Sequence, residues 1–294
     1  MSRILAVGIA TLDIINSVED YPQEDDEIRA VSQRICRGGN ATNTLVVLSQ
    51  LGHQCHWAGV LVDEPDTRHI EAELNRYRIN CDAVMQLGQG KVPTSYITHN
   101  LRNGTRSIIH HRDLREYPFE RFAQIDLAAF DWLHFEGRNI DDCAKMLKHA
   151  RKTRPDLRIS LEIEKERPGI EQLFGLADVL IFSRAFAQAR GYAHAEVLLQ
   201  ALAPELPDAT LICAWGEQGA WSMQRGICCH SAAFPPEQVI DTLAAGDTFN
   251  AGIIHALVQD QPMAKTLQTA CRLAGTKCGH LGLDFIQQGH SLHD

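Results

Sequence analysis

Short apolar runs without polar alternation recur along the chain, separated by stretches of helical spacing. Ile4–Ala10 is such a run, ended by Thr11–Asp13, and others fall near Val84 and at Asp131–Phe135, Arg158–Ile163, Asp178–Phe182 and Thr210–Ala214. Runs of this kind suit strands covered on both faces of a parallel sheet. Between them, Ala41–Leu51 and Asp141–Lys152 place apolar residues at helical spacing, and Gly246–Val258 followed by Pro262–Lys277 reads as two successive helices. Strand and helix in turn imply βαβ units, hence an α/β core with a mostly parallel sheet covered by helices. Asp13, at the end of the first run, is then expected at the carboxyl edge of that sheet.

Two segments break the alternation. Ile14–Cys36 mixes short extended pieces with acids, and Pro93–His111 contains "HNLRNGTRSIIHH", in which Asn103-Gly104 between β-leaning runs is a hairpin signal. Both read as strands of a small sheet standing off the core, spanning about residues 14–36 and 92–112. Paired together they form a lid over the sheet edge that excludes water; unpaired they are two unrelated surface hairpins, and the pattern alone does not separate the two cases. No repeat or linker divides the chain, so a single domain over 1–294 is expected.

Composition narrows the partners. With 294 residues, 45% of them hydrophobic, the chain can bury a full core. Its 28 basic against 37 acidic residues give a net charge of −9, which repels polyanions and argues against nucleic-acid or anionic-membrane binding. A small-molecule partner is the better expectation. Nine cysteines without a C-x-x-C pair, Cys228 and Cys229 adjacent, read as reduced thiols of a cytoplasmic protein. The N-terminal apolar run meets Asp13 without a cleavage pattern and reads as a strand, and no stretch reaches the roughly 18 apolar residues of a membrane helix.

Several motifs fail on inspection. "GQGKV" at 88–92 has Met85 and Val92 where a phosphate loop needs glycine and a hydroxyl. "HRDL" at 111–114 is followed by Pro118 where a protein-kinase loop needs asparagine. "HQCH" at 53–56 lacks zinc-ligand spacing, and the fourteen histidines read as scattered surface or helix-end residues. A dinucleotide fold needs further glycines after Gly8, where Ile9 and Ala10 stand.

Three glycine-bearing stretches remain. "RGGNATN" at 37–43 precedes the helix from Ala41; Gly38 and Gly39 allow close approach to backbone, and Asn40 and Asn43 present amides on one side of the first turn, suited to sugar hydroxyls. The same residues also make an ordinary asparagine cap. "DTLAAGDTFNAG" at 241–252 starts a helix at Gly246 and Asp247, whose unpaired N–H groups form an anion site. Asp247 beside them can take a hydroxyl proton in phosphoryl transfer, or merely favour the helix's first turn. "CAWGEQGAW" follows the strand Thr210–Ala214 and opens a turn at Gly216–Gly219 where α/β sheets bind nucleotides, with Ala220–Met223 as a possible returning strand.

In this order, "GGNxTN" and "DTxxAGD" make the chain resemble the ribokinase-like, or PfkB-type, sugar kinases along nearly its whole length. "YPQEDDEIRAVSQRICRGGNATN", "HFEGRN" at 134–139, "CAWGEQGA" at 213–220, "FPPEQVIDTLAAGDTFNA" and "AGTKCG" at 274–279 resemble the branch that phosphorylates fructose at O1 with ATP. The resemblance implies a three-layer α/β/α core with a β lid. It implies Asp247 as base, Ala244, Ala245 and Gly246 around the anion hole, and Arg106 as a lid arginine near the transferred phosphate. It further implies Asp13, Gly39, Asn40 and Asn43 on the sugar, and Gly216, Glu217, Gln218 and Gly219 on ATP. A homodimer through the lid strands, with Asp25 reaching the partner's sugar site, belongs to the same picture. Magnesium is implied, and potassium with Asp241 as a candidate ligand. The family's N-x-x-E element falls on "SRAF" at 183–186 without a carboxylate, which leaves Mg2+ to ATP, water and Glu162 or Glu164. "AAGD" replaces the usual "GAGD"; because alanine at positive φ costs roughly 1–2 kcal/mol, Ala244 is expected to have ordinary angles and Gly246 the unusual ones. Ribokinase or another sugar or nucleoside kinase of the family is the alternative, and a non-catalytic sugar or nucleotide sensor is the reading from a different class.

Overall fold

The computed structural model describes residues 1–286; the last eight residues of the expected domain, 287–294, lie outside the described part. In chain order the strands are β1 (Arg3–Val7), β2 (Thr11–Val18), β3 (Ser32–Gly38), β4 (Gln54–Ala58), β5 (Val60–Val62), β6 (Met85–Leu87), β7 (Thr94–Asn100), β8 (Arg106–His111), β9 (Trp132–Glu136), β10 (Arg158–Ile163), β11 (Val179–Ser183), β12 (Thr210–Ala214), β13 (Ala220–Gln224) and β14 (Ile227–Ser231). The helices are α1 (Asn40–Gln50), α2 (Thr67–Arg76), α3 (Phe119–Phe122), α4 (Ile140–Thr153), α5 (Arg184–Ala189), α6 (Ala195–Leu202), α7 (Ala245–Val258) and α8 (Met263–Cys278).

Eight strands form the main sheet in the order β14-β13-β12-β11-β10-β9-β1-β4. Pairing is parallel from β4 to β12, and β13 and β14 return antiparallel. Every residue of β9 is buried, as a strand sandwiched between helical layers must be. This central position explains why its run carries no polar alternation. His134 on β9 is buried in the core, its Nδ1 against the Ser160 hydroxyl at 2.9 Å, and burial lowers its pKa to about 4. His53 is also buried, paired with His255 at 2.9 Å. These two depart from the surface reading of the histidines; neutral imidazole is apolar enough to bury when one nitrogen finds a partner. Among the described residues no cluster of His, Cys, Asp and Glu could hold a metal ion by itself, and no helix is long and apolar enough to cross a membrane.

The two segments that broke the alternation pair with each other. They make a second sheet of order β3-β2-β7-β8, with β2 parallel to β7 and the flanking pairs antiparallel. The turn at Asn103 and Gly104 joins β7 to β8, as its sequence predicts, and Asn100 Oδ1 accepts from the N–H groups of Arg102 and Asn103. Asp13 belongs to β2 of this sheet, opposite Cys36 and Ser95, and not to the edge of the main sheet. The reason is local: β1 ends at Val7, and the chain crosses to the second sheet within four residues, Gly8 to Thr11. The run near Val84 likewise stays out of the main sheet, because β6 pairs with the short β5.

Candidate active site

A cavity of about 630 Å3 opens where the carboxyl ends of β1, β9 and β10 meet the amino ends of α1 and α7, under the inner face of the second sheet. Asp13, Gly39, Asn40, Asn43, Arg106, Glu162, Glu164, Asp241 and Ala244–Asp247 all line it. Gly216–Gly219, at the end of β12, and Asp25, in an exposed turn before β3, do not.

At the start of α7 the chain turns into the helix at one residue. Ala244 is that residue, with φ 60° and ψ 15°, and Gly246 has ordinary helical angles. This reverses the expectation for the pair. The left-handed angles let the Ala244 carbonyl accept from both the N–H and the hydroxyl of Thr248 at 2.9 Å, which repays part of the strain. The N–H groups of Gly246 and Asp247 have no partner among the described residues, and that of Ala245 reaches only Thr242 O, at 3.4 Å. The helix end is therefore open to an anion.

Asp247 follows in the same turn, 7% exposed. Its Oδ2 accepts from Asn43 Nδ2 at 2.7 Å, and no hydrogen bond is made to Oδ1 among the described residues. Burial pushes its pKa up to about 7, Glu164 and Glu136 add to the rise, and Asn43 and Arg37 oppose it. A carboxyl poised there suits proton transfer near neutral pH. Asn40 donates from Nδ2 to both oxygens of Glu162 at 3.2 Å and to Glu164 at 3.3 Å, so this amide is held by carboxylates at the end of β10. Glu162 is itself raised well above the usual carboxylate range, by burial first and then by Asp247.

Asp13 faces these groups from β2, its Oδ1 accepting from the Thr11 hydroxyl at 2.8 Å, with burial raising its pKa. The glycine pair makes this possible: a Cβ on Gly38 would collide with Asp13 Oδ2, and one on Gly39, at φ 101°, with Ile9 O. From β8, Arg106 Nη1 donates to Thr242 Oγ1 at 2.8 Å, which ties the second sheet to the loop before α7.

Candidate metal ligands fit unequally. Asp241 has both oxygens engaged: Oδ1 by Leu243 N–H at 2.9 Å, Oδ2 by Gly282 N–H at 3.0 Å, Lys277 at 3.2 Å and Arg34 at 3.3 Å. The buried Lys277 ammonium also donates to the Asp241 carbonyl at 2.7 Å, so the residue already has its cation and does not fit a potassium ligand. Glu162 and Glu164 face the cavity and fit a hydrated Mg2+ that arrives on phosphates, which needs one or two carboxylates.

Some residues of the site carried no role in the sequence reading. Glu136, at the end of β9, accepts from the N–H groups of Ile9 at 3.1 Å and Ala41 at 2.7 Å and from Arg138 at 3.0 Å. It fastens the end of β1 to the start of α1. The available signal was an acid closing an apolar strand, shared by "WLHFE" and "ISLE". Arg37 is the other, described below.

The turn Gly216–Gly219 stands at the carboxyl end of β12, with Gly216 at φ 60° and Gly219 at φ 90°, and β13 returns from it as read from the sequence.

The architecture is that of the ribokinase fold. Adenosine kinase from Sinorhizobium meliloti superposes with a TM-score of 0.80 at 18% identity, covering 96% of this chain and 95% of that one. Arabidopsis thaliana ribokinase, solved with ribose and ATP, gives 0.77 at 19% identity over 96% and 94%. The pfkB family carbohydrate kinase pattern matches residues 1–288, and mouse ketohexokinase is 40% identical over 293 residues, 97% of this chain and 98% of that protein. The chain belongs to the pfkB family of carbohydrate kinases.

Proposed function

We propose that this chain is an ATP-dependent ketohexokinase, converting D-fructose to D-fructose 1-phosphate. The observation that carries the chemistry is Asp247, a buried carboxylate facing the cavity, which among the described residues has one free oxygen and stands beside unpartnered N–H groups at the start of α7. Oδ1 of Asp247 takes the proton of the O1 hydroxyl as O1 attacks the γ-phosphorus. The new O1–P bond forms, the bond from phosphorus to the β,γ-bridging oxygen breaks, and ADP leaves with that electron pair. The amides at Ala245 and Gly246 receive the phosphoryl oxygens, and Arg106 approaches them from the second sheet, which acts as the lid. Asp13, Gly39, Asn40 and Asn43 hold the sugar, and Gly216–Gly219 takes the nucleotide. Glu162 and Glu164 are the carboxylates that would hold Mg2+, which supplies charge neutralisation on the phosphates. Fructose as acceptor rests on the 40% identity to mouse ketohexokinase.

The outer face of the lid supports a homodimer. Ile35, Ile14, Tyr96 and Ile109 lie side by side across all four strands, and Ile35 (46%), Tyr96 (46%) and Ile109 (74%) are exposed. An apolar row across a sheet face is unusual on a monomer surface. In this reading Asp25, which does not line its own cavity, serves the partner's sugar site. Nine unpaired cysteines favour a cytoplasmic enzyme.

The test is ADP release with fructose, ribose, tagatose, xylulose, fructosamine and nucleosides. Fructose is expected to give the highest kcat/KM, and Asp247→Asn to lower kcat by about 100-fold or more. Ribose or a nucleoside turning over faster would assign the chain to another acceptor in the family; sugar binding without turnover would make it a sensor.

A further inference from the structure

Arg37, the penultimate residue of β3, has a fully buried side chain. Its Nη1 donates to Asn43 Oδ1 at 2.8 Å, Thr42 Oγ1 at 2.7 Å and Gly38 O at 3.2 Å, while Nη2 meets Glu73 Oε1, on α2, at 3.3 Å. Among the described residues its buried Nε has no hydrogen-bond partner. A buried guanidinium with an unsatisfied nitrogen, paired only with a partly exposed carboxylate, is a poor source of stability. The contact with Asn43 points to another role.

An amide has two unlike ends, and a guanidinium can only donate. With Arg37 on one side, Asn43 must turn its oxygen toward Arg37, and its NH2 then faces Asp247 Oδ2 at 2.7 Å. Rotated by half a turn, the amide would set donors against donors on one side and oxygen against carboxylate on the other. We propose that Arg37 is a positioning residue for phosphoryl transfer: it locks the Asn43 amide so that Asp247 is gripped at Oδ2 and presents Oδ1 to the acceptor hydroxyl. The inference rests on the kinase reading of the site.

The charges around Asp247 make the relay selective. Glu136 from β9, Glu162 from β10 and Glu164 just after it disfavour its ionisation, Asn43 from α1 and Arg37 from β3 favour it, and Glu73 from α2 is paired with Arg37. Removing Arg37 therefore raises the pH at which Asp247 ionises, and removing the charge of Glu73 lowers it.

The experiment is the pH dependence of kcat/KM for Arg37→Met, Glu73→Gln and the double variant Arg37→Met with Asn43→Ala. Arg37→Met is expected to lose about tenfold in kcat and to move the acidic limb to higher pH. Glu73→Gln is expected to keep kcat within about twofold and to move that limb the other way, and Asn43→Ala to move the limb less in the Arg37→Met background than it does in the wild type. A purely structural role lowers thermal stability and leaves both limbs where they are, which overturns the proposal. So does a shift of the same sign in both single variants. If Arg37→Met does not fold, the direction for Glu73→Gln decides alone. If the wild-type chain turns over no sugar, the kinase reading fails, and NMR titration of the Asp247 carboxyl in the wild type and the variants still tests the relay by the same signs.

Discussion

Ala244 occupies a left-handed conformation at the hinge of the anion site, where a glycine would sit without strain. Ala244→Gly removes roughly 1–2 kcal/mol of strain and adds about 0.5–1 kcal/mol of unfolded-chain entropy. A net gain of about 1 kcal/mol or less is expected, seen as a rise of a few degrees in Tm by calorimetry. Ala244→Val should lower Tm and kcat together, since a β-branched residue cannot hold these angles and the N–H groups move with them. Asp247 makes the opposite trade. Its pKa is raised from 3.8 to about 7, so the folded protein holds this proton more tightly than the unfolded chain does. The stability linked to it is complete below about pH 4 and is lost as pH rises through about 7. Asp247→Asn buries no charge, so it should match the wild type in urea unfolding at pH 4 and exceed it at pH 8 by on the order of 1–4 kcal/mol. Equal stabilities at pH 8 would contradict the burial cost.

Helices α7 and α8 connect the site to the body of the protein. A Cβ at Gly252 would stand 2.6 Å from the Cα of Ala270, so the two backbones touch where α7 crosses α8. Gly252→Ala must push the helices apart, at about 1–3 kcal/mol. Because α7 carries both the open N–H groups and Asp247, the same change should lower kcat with little effect on the fructose KM. Loss of stability with kcat preserved would mean that the amino end of α7 is held by its own loop instead.

Taken whole, the molecule carries a net charge of −9 and must admit an anionic nucleotide. The cavity lining sets Arg106, Lys165 and Arg167 beside its carboxylates, local cations that the total conceals. Its second sheet has one face on that cavity and the other bearing the row from Ile35 to Ile109. If the row is a dimer interface, Ile109→Arg should convert a dimer to a monomer in light scattering. It should also weaken fructose turnover to the extent that Asp25 serves the neighbouring site. A wild-type chain that is monomeric at micromolar concentration would remove both expectations.

Apolar runs, helical spacing and the Asn103-Gly104 turn were legible along the chain because each depends on near neighbours. The helix start just before Asp247 was legible, within a residue, for the same reason. Other features depend on residues far apart in the chain. The pairing of β2 with β7 settled that two odd segments are one sheet, and it moved Asp13 onto that sheet. The left-handed Ala244, whose carbonyl accepts from both the N–H and the hydroxyl of Thr248, stands against the residue's own preference. Asn43 and Asp247 are 204 residues apart, yet their hydrogen bond, and the guanidinium behind it, set which oxygen of the carboxylate is free. Local preference writes elements and caps into the order of residues. The acidity and aim of a buried group come from what the fold packs against it, and no short stretch of sequence contains that.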